Sequence, residues 1–176
     1  MSSLKEKLLF GGALSCFIPK NSQDASMIRD IPDNQEVFLH ASNEQSIMID
    51  IVEYQAVEGE ESARYYFEDL ASLNDSSENK VLCVEKIHKE DTCMKLHSEA
   101  WALSGQQYAT KFNEKNTKNL IEIDLLLYRL PQFSTDILVI MNSPLCVQTS
   151  TIDIWTKDIF KQMACSLNII DSTIFV

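Results

Sequence analysis

The chain has 176 residues, 45% hydrophobic and 23% charged, which suits one domain with a sizeable core and excludes a wholly disordered chain. Fifteen Lys and Arg against 26 Asp and Glu leave a formal charge of -11, a surface that repels phosphate backbones and anionic lipid. Nucleic acid is therefore excluded as a default partner, and so is membrane insertion, since no stretch offers the roughly 18 uninterrupted apolar residues of a spanning helix.

Residues 1–8 mix charges and lack an apolar h-region, so a flexible N-terminus is expected and a secretory signal is not. The strand pattern over 10–18 is weak, and Gly11-Gly12 within it reads as a turn or bulge. Asp24 is placed to cap a short helical turn over Ala25–Arg29. Pro32-Asp33-Asn34 is a turn by its chemistry, and Gln35 to Phe38 then enter a strand over 35–40. Residues 46–55 set Ile47, Ile49 and Ile51 at period two. Ala63, Tyr66, Phe67 and Leu70 follow the spacing of a helix face, with Glu60 and Glu61 at its positive end. Weaker strands follow over 80–88 and 99–109, the second with a bend at Ser104-Gly105. Residues 120–130 place Ile121, Ile123, Leu125 and Leu127 on one face and Glu122 and Asp124 on the other. Residues 136–142 are apolar on both faces, as in a central strand covered on each side. Trp155, Ile159, Phe160, Met163 and Leu167 make a second helical stripe, with Asp153 near its start.

Only four glycines and four prolines punctuate the chain, and no linker or repeat divides it. A single domain over 1–176 is expected, of the α+β class: a largely antiparallel sheet with helices packed on it.

Enzyme signatures are mostly missing. Neither common phosphate-cradling glycine loop is present, so no nucleotide cofactor is implied. His40, His88 and His97 are not paired at metal-ligand spacing, and no metal is implied. Ser104 lacks a nucleophile elbow, and Cys93 near His97 reads as a loop cysteine beside a surface histidine. The five cysteines (Cys16, Cys83, Cys93, Cys146 and Cys165) are odd in number and never spaced C-x-x-C, which points to a reduced intracellular compartment. Asn74-Asp75-Ser76 is then a chance glycosylation match.

The segment from Asp24 to Phe38 does not reduce to core. It packs Asp24, Asp30, Asp33 and Glu36 with Arg29 around Pro32. A turn requires one Asp or Asn, and does not require Glu36 three residues after Asp33. Two readings stand open, a solvated turn and an acidic lip that grips a basic partner.

Pro32-Asp33-Asn34-Gln35-Glu36-Val37-Phe38 resembles the signature of the Ran guanine-nucleotide release factors, the Mog-one family. Phe10-Gly11-Gly12-Ala13, Asp24-Ala25-Ser26 with Arg29, Phe67-Glu68-Asp69 and Trp101-Ala102-Leu103-Ser104-Gly105 agree in order and spacing. Arg129-Leu130-Pro131-Gln132-Phe133 with Thr135-Asp136, and Asp171-Ser172-Thr173-Ile174-Phe175, extend the likeness to the C-terminus. The resemblance implies a mostly antiparallel sheet sandwiched between helices, similar to the PsbP subunit of photosystem II. It implies a non-catalytic regulator, a monomer of nucleus and cytoplasm, that binds the GTPase Ran, promotes release of its nucleotide and supports nuclear import. The family's partner-contacting acids fall on Asp33 and Glu36, with Asp24, Arg29, Pro32 and Gln35 as neighbours. The rival expectation is a PsbP-like scaffold or trafficking adaptor without effect on nucleotide. Met27 departs from a polar position in the pattern, Tyr66 from a histidine, and the segment between Pro144 and Trp155 is short.

Overall fold

The computed structural model of the chain describes residues 3–76, 78–110, 118–145 and 153–175. Its main sheet is built from β3 (Ser22–Asp24), β4 (Gln35–His40), β5 (Ser46–Glu53), β6 (Asn79–Lys86), β7 (Glu99–Thr110), β8 (Lys118–Leu130) and β9 (Thr135–Pro144). Their order across the sheet is β3-β4-β5-β9-β8-β7-β6, with every pairing antiparallel. A smaller sheet joins β1 (Leu4–Leu9), β2 (Leu14–Pro19) and β10 (Asn168–Ile169) in the order β1-β2-β10. Helix α1 (Glu61–Leu73) lies on one face of the main sheet, and α2 (Lys157–Cys165) lies on the other beside the small sheet. The expected α+β architecture is present.

Periodicity explains the layers. The doubly apolar strand is β9, central in the seven. Its Leu138 and Ile140 pack under α1 with Phe67 and Ile123, while Ile137, Val139 and Met141 join the core under α2 with Phe160 and Met163. On β8, Ile123, Leu125 and Leu127 face α1 as the alternation predicts. The opposite face carries Glu122 and Asp124 only at one end; Leu126, Tyr128 and Leu130 continue it into the second core. Helix α1 runs one turn past Phe67-Glu68-Asp69, which therefore sits inside the helix and not at its end. Helix α2 begins later than its apolar stripe suggests. Thr156 caps it, accepting from the Ile159 N–H at 3.2 Å, and Trp155 packs into the core from the preceding loop.

Three expectations are corrected. The N-terminus is not a flexible tail: from Leu4 onward it is an edge strand paired to β2, Leu4 opposite Pro19 through Leu9 opposite Leu14. Its exposure hid the signal, since Lys5, Glu6 and Leu8 are exposed and only Leu9 in the strand is fully buried. The strand expected over 10–18 is interrupted by a 3-10 turn at Phe10–Gly12, where Gly11 and Gly12 have φ of 67° and 95°. These are left-handed values that glycine adopts without strain. Finally, β7 runs as one unbroken strand through Ser104-Gly105, paired in continuous register to β8. The irregularity lies in its partner β6, between Val81 and Cys83. The short segment between Pro144 and Trp155 falls mostly outside the described residues, as does Cys146.

Gly105 is there because α1 comes close. A Cβ on it would lie 2.6 Å from the Phe67 ring and 2.8 Å from the Lys80 carbonyl oxygen. The ring could turn aside, but the backbone oxygen cannot. Gly105→Ala is therefore expected to destabilise the fold by about 1–3 kcal/mol, read as a lower urea midpoint with an unchanged slope. An unchanged midpoint would mean that helix and sheet are not in this contact.

A buried polar network ties α1 to the sheet. Arg129 and Asp136 stand opposite each other on β8 and β9, with Nε–Oδ1 at 2.8 Å and both side chains almost wholly buried. The Tyr66 hydroxyl donates to Asp136 Oδ2 at 2.7 Å. Burial, with Asp136 beside it, pushes the Tyr66 hydroxyl upward in pKa, so it stays protonated and donates.

Candidate functional site

Asp24 closes β3 and caps the turn Ala25–Met27, as the sequence suggests. Its Oδ1 accepts from the Ser26 N–H at 3.0 Å and the Ser26 hydroxyl at 2.7 Å. The Ser26 hydroxyl holds the Asp24 carboxyl below the usual carboxylate range, and Lys7, 3.6 Å from Oδ2, adds to the effect. Ala25 is fully buried and pins this turn to the core.

The Pro32-Asp33-Asn34 turn is closed by the Gln35 N–H donating to the Pro32 carbonyl at 2.9 Å. Asn34 anchors it from behind. Its side-chain amide donates to Asp50 Oδ1 at 2.8 Å, and its carbonyl accepts from the Ile51 N–H at 2.9 Å. Asp33 is left exposed at the tip. Glu36, next along β4, is half-buried, and its Oε1 accepts from the Phe10 N–H at 2.6 Å. This bond joins β4 to the β1–β2 turn across 26 residues of sequence. Nothing in the spacing foretells it.

These pieces enclose one open cleft of about 460 Å³. Asp24, Pro32, Asp33, Gln35 and Glu36 all line it, with Phe10, Gly11 and Ile31 supplying apolar wall. Five of the six residues singled out from sequence are brought together. Arg29 is not; it is exposed outside the lining. Gln35 also borders a second groove on the far side of the sheet, where it faces Asp50 across the β4–β5 pair. The cleft is thus walled by three carboxylates, and its natural ligand is a cationic surface.

Asp50 is the neighbour that the sequence reading passed over. Burial pushes its carboxyl up to about 6, against the amide bonds from Gln35 and Asn34, and Asp69 on α1 pushes the same way. Glu53, Tyr65 and Tyr66 border the same groove. The unfolded chain releases this proton near the ordinary value of about 4. Between there and about 6 the folded state holds more protons than the unfolded one, so stability falls as pH rises through that window. Asp50→Asn is expected to be more stable than the parent at pH 7 and equal to it near pH 4. Thermal midpoints across pH 4–7 check this; parallel curves for the two proteins would contradict it.

The hydrolase alternatives find no support in geometry. The Ser104 hydroxyl donates to Asp124 Oδ1 at 2.5 Å, within a strand pair and not toward a histidine. Cys93 is exposed, but His97 is not the surface histidine expected: it is buried, bonded to the Thr92 hydroxyl at 3.1 Å, with its ring tilted against that of Tyr128. Among the described residues no group of three or more His, Cys, Asp or Glu is placed to hold a metal ion, and no helix is long and apolar enough to cross a membrane.

The fold and cleft together define a layered α+β domain with an acid-walled pocket at the edge of its main sheet. The profile of the Ran-interacting Mog1 protein family matches residues 7–144. The chain is 42% identical to a Danio rerio protein named Ran guanine nucleotide release factor, covering 95% of this chain and 97% of that one. The protein of the same name from Homo sapiens is 35% identical, with 99% and 98% covered. The nuclear import protein mog1 of Schizosaccharomyces pombe is 36% identical over 78% of this chain and 75% of its own. The fold is shared with the crystal structure of the Saccharomyces cerevisiae Ran-binding protein Mog1p, at a TM-score of 0.75 and 22% identity over the whole of both chains. The chain belongs to the Mog1 family.

Proposed function

We propose that this protein binds a Ran-type small GTPase through the acidic cleft and promotes release of its guanine nucleotide, supporting nuclear protein import. It acts as a regulator and not a catalyst, as a monomer, in nucleus and cytoplasm. The names of its relatives support the partner and the activity. The observation that carries the site is the convergence of Asp24, at the end of β3, with Asp33 and Glu36, on the turn into β4, on one cleft.

To speed release, the protein must bind the nucleotide-free GTPase more tightly than the loaded one, because only differential affinity shifts an equilibrium. The coupling is reciprocal, so nucleotide must weaken the complex by the same factor. A carboxylate of the cleft is the natural competitor here, since phosphates hold their lysine and their Mg²⁺ by charge. Asp33, exposed on a turn fixed by Asn34, is free to reach such a cation, and Glu36 lies deeper on a rigid strand.

Calorimetric titration with nucleotide-free Ran, repeated with GTP and Mg²⁺ in excess, tests this. The complex is expected to weaken about 5–150-fold when nucleotide is added, the range of a coupling on the order of 1–3 kcal/mol. Equal affinity in both titrations would leave a Ran adaptor and end the release reading.

A further inference from the structure

The turn that follows Asp24 leaves two large apolar side chains in water, Met27 at 85% and Ile28 at 66% exposure. Their backbone is not loose. The Asp24 carboxylate caps the turn through Ser26, and the N–H groups of Ile28 and Arg29 both donate to the Ala25 carbonyl at 3.0 Å. Ala25 itself is fully buried. The turn therefore presents Met27 and Ile28 from a fixed platform, and the backbone ordering that binding would demand is already in place. Its position matters as much as its rigidity. Ser26, just before this pair, and Ile31, three residues after Ile28, both line the acidic cleft.

We propose that Met27 and Ile28 form an apolar anchor that seats in a recess of the same GTPase whose basic patch meets the cleft. This rests on the reading of the cleft as the GTPase site. Charge selects the occupant. A second copy of this chain would bring another formal charge of -11 against the first, and an anionic membrane would be repelled likewise. A cationic protein face with an apolar recess beside it suits both halves of the surface. The two halves then do different work. Carboxylates steer encounter and set salt dependence, while a desolvated apolar anchor slows dissociation. The methionine adapts its shape to the recess, and the stiff β-branched isoleucine fixes the register.

The test is titration of nucleotide-free Ran, at several salt concentrations, with the parent, with a Met27→Ser, Ile28→Ser double variant, and with Asp33→Lys. The double variant is expected to bind roughly ten- to a hundredfold more weakly through faster dissociation, a loss of about 1.4–2.8 kcal/mol. Its slope of affinity against salt and its thermal midpoint should match the parent's. Asp33→Lys should weaken binding and flatten the salt slope instead. If the double variant binds like the parent while Asp33→Lys is impaired, the anchor is overturned and the cleft reading stands. If the parent itself does not bind Ran, both fall together. If sedimentation shows the parent self-associating and the double variant monomeric, the occupant is a second copy and the proposal is overturned.

Discussion

Reversing Glu36 to Lys is expected to cost about 2–5 kcal/mol of Ran binding, the scale at which a close, partly desolvated attraction turns into repulsion. The structure adds a second consequence. Glu36 accepts the Phe10 N–H at 2.6 Å, so its replacement orphans a half-buried donor in the β1–β2 turn. That should also lower folding stability by about 1–3 kcal/mol. Asp33 separates the two effects. It is exposed on its turn, so Asp33→Lys should weaken binding while stability stays within about 0.5 kcal/mol of the parent. Titration against Ran and denaturant unfolding of both variants check this. Parental affinity in both would move the site elsewhere, whatever happens to stability.

Asp136→Ala is expected to be the most damaging single change to the fold. The carboxylate neutralises Arg129 at 2.8 Å and accepts from Tyr66 at 2.7 Å and from the Gln55 N–H at 3.3 Å. Removing it strands a guanidinium that also donates to the Val57 carbonyl at 2.6 Å and lies 4.3 Å above the Tyr54 ring. Breaking one half of so buried a pair costs about 3–5 kcal/mol, a large share of a small domain's stability. Replacing both partners at once, Arg129→Met with Asp136→Leu, should recover part of that loss, because no uncompensated charge remains. Urea midpoints of the single and double variants decide it. A loss below about 1 kcal/mol for Asp136→Ala would show that the pair does not hold β8, β9 and α1 together.

The parts of this fold that could be read from sequence are those whose burial is one-sided and sustained. β5, β8 and β9 show their period because each turns a whole row of Ile, Leu or Val into a core. β1 hid because an edge strand is held by backbone bonds, which leave no hydropathy pattern, and its outer positions carry Lys5 and Glu6. β3 and β10 are three and two residues long, too short for any period. Gly105 was misread for a related reason: the close approach of Phe67 that requires it comes from a helix some forty residues earlier.

The cleft was legible to the same extent and for the same kind of reason. Asp24, Pro32, Asp33 and Gln35 sit in local motifs, a cap and a turn, whose chemistry is written in neighbouring residues. The partner of Glu36 is a backbone N–H on a distant turn, and every residue but proline has one. Arg29, which the resemblance placed beside the acids, is exposed and outside the lining of the cleft.

The central claim is tested most directly by following release of a fluorescent guanine nucleotide from preloaded Ran, in the presence of Mg²⁺, as this protein is added. Release is expected to accelerate with concentration and saturate, and Asp33→Lys should need far more protein to reach the same rate. Release at the unassisted rate, under conditions where the complex with Ran demonstrably forms, would contradict the claim.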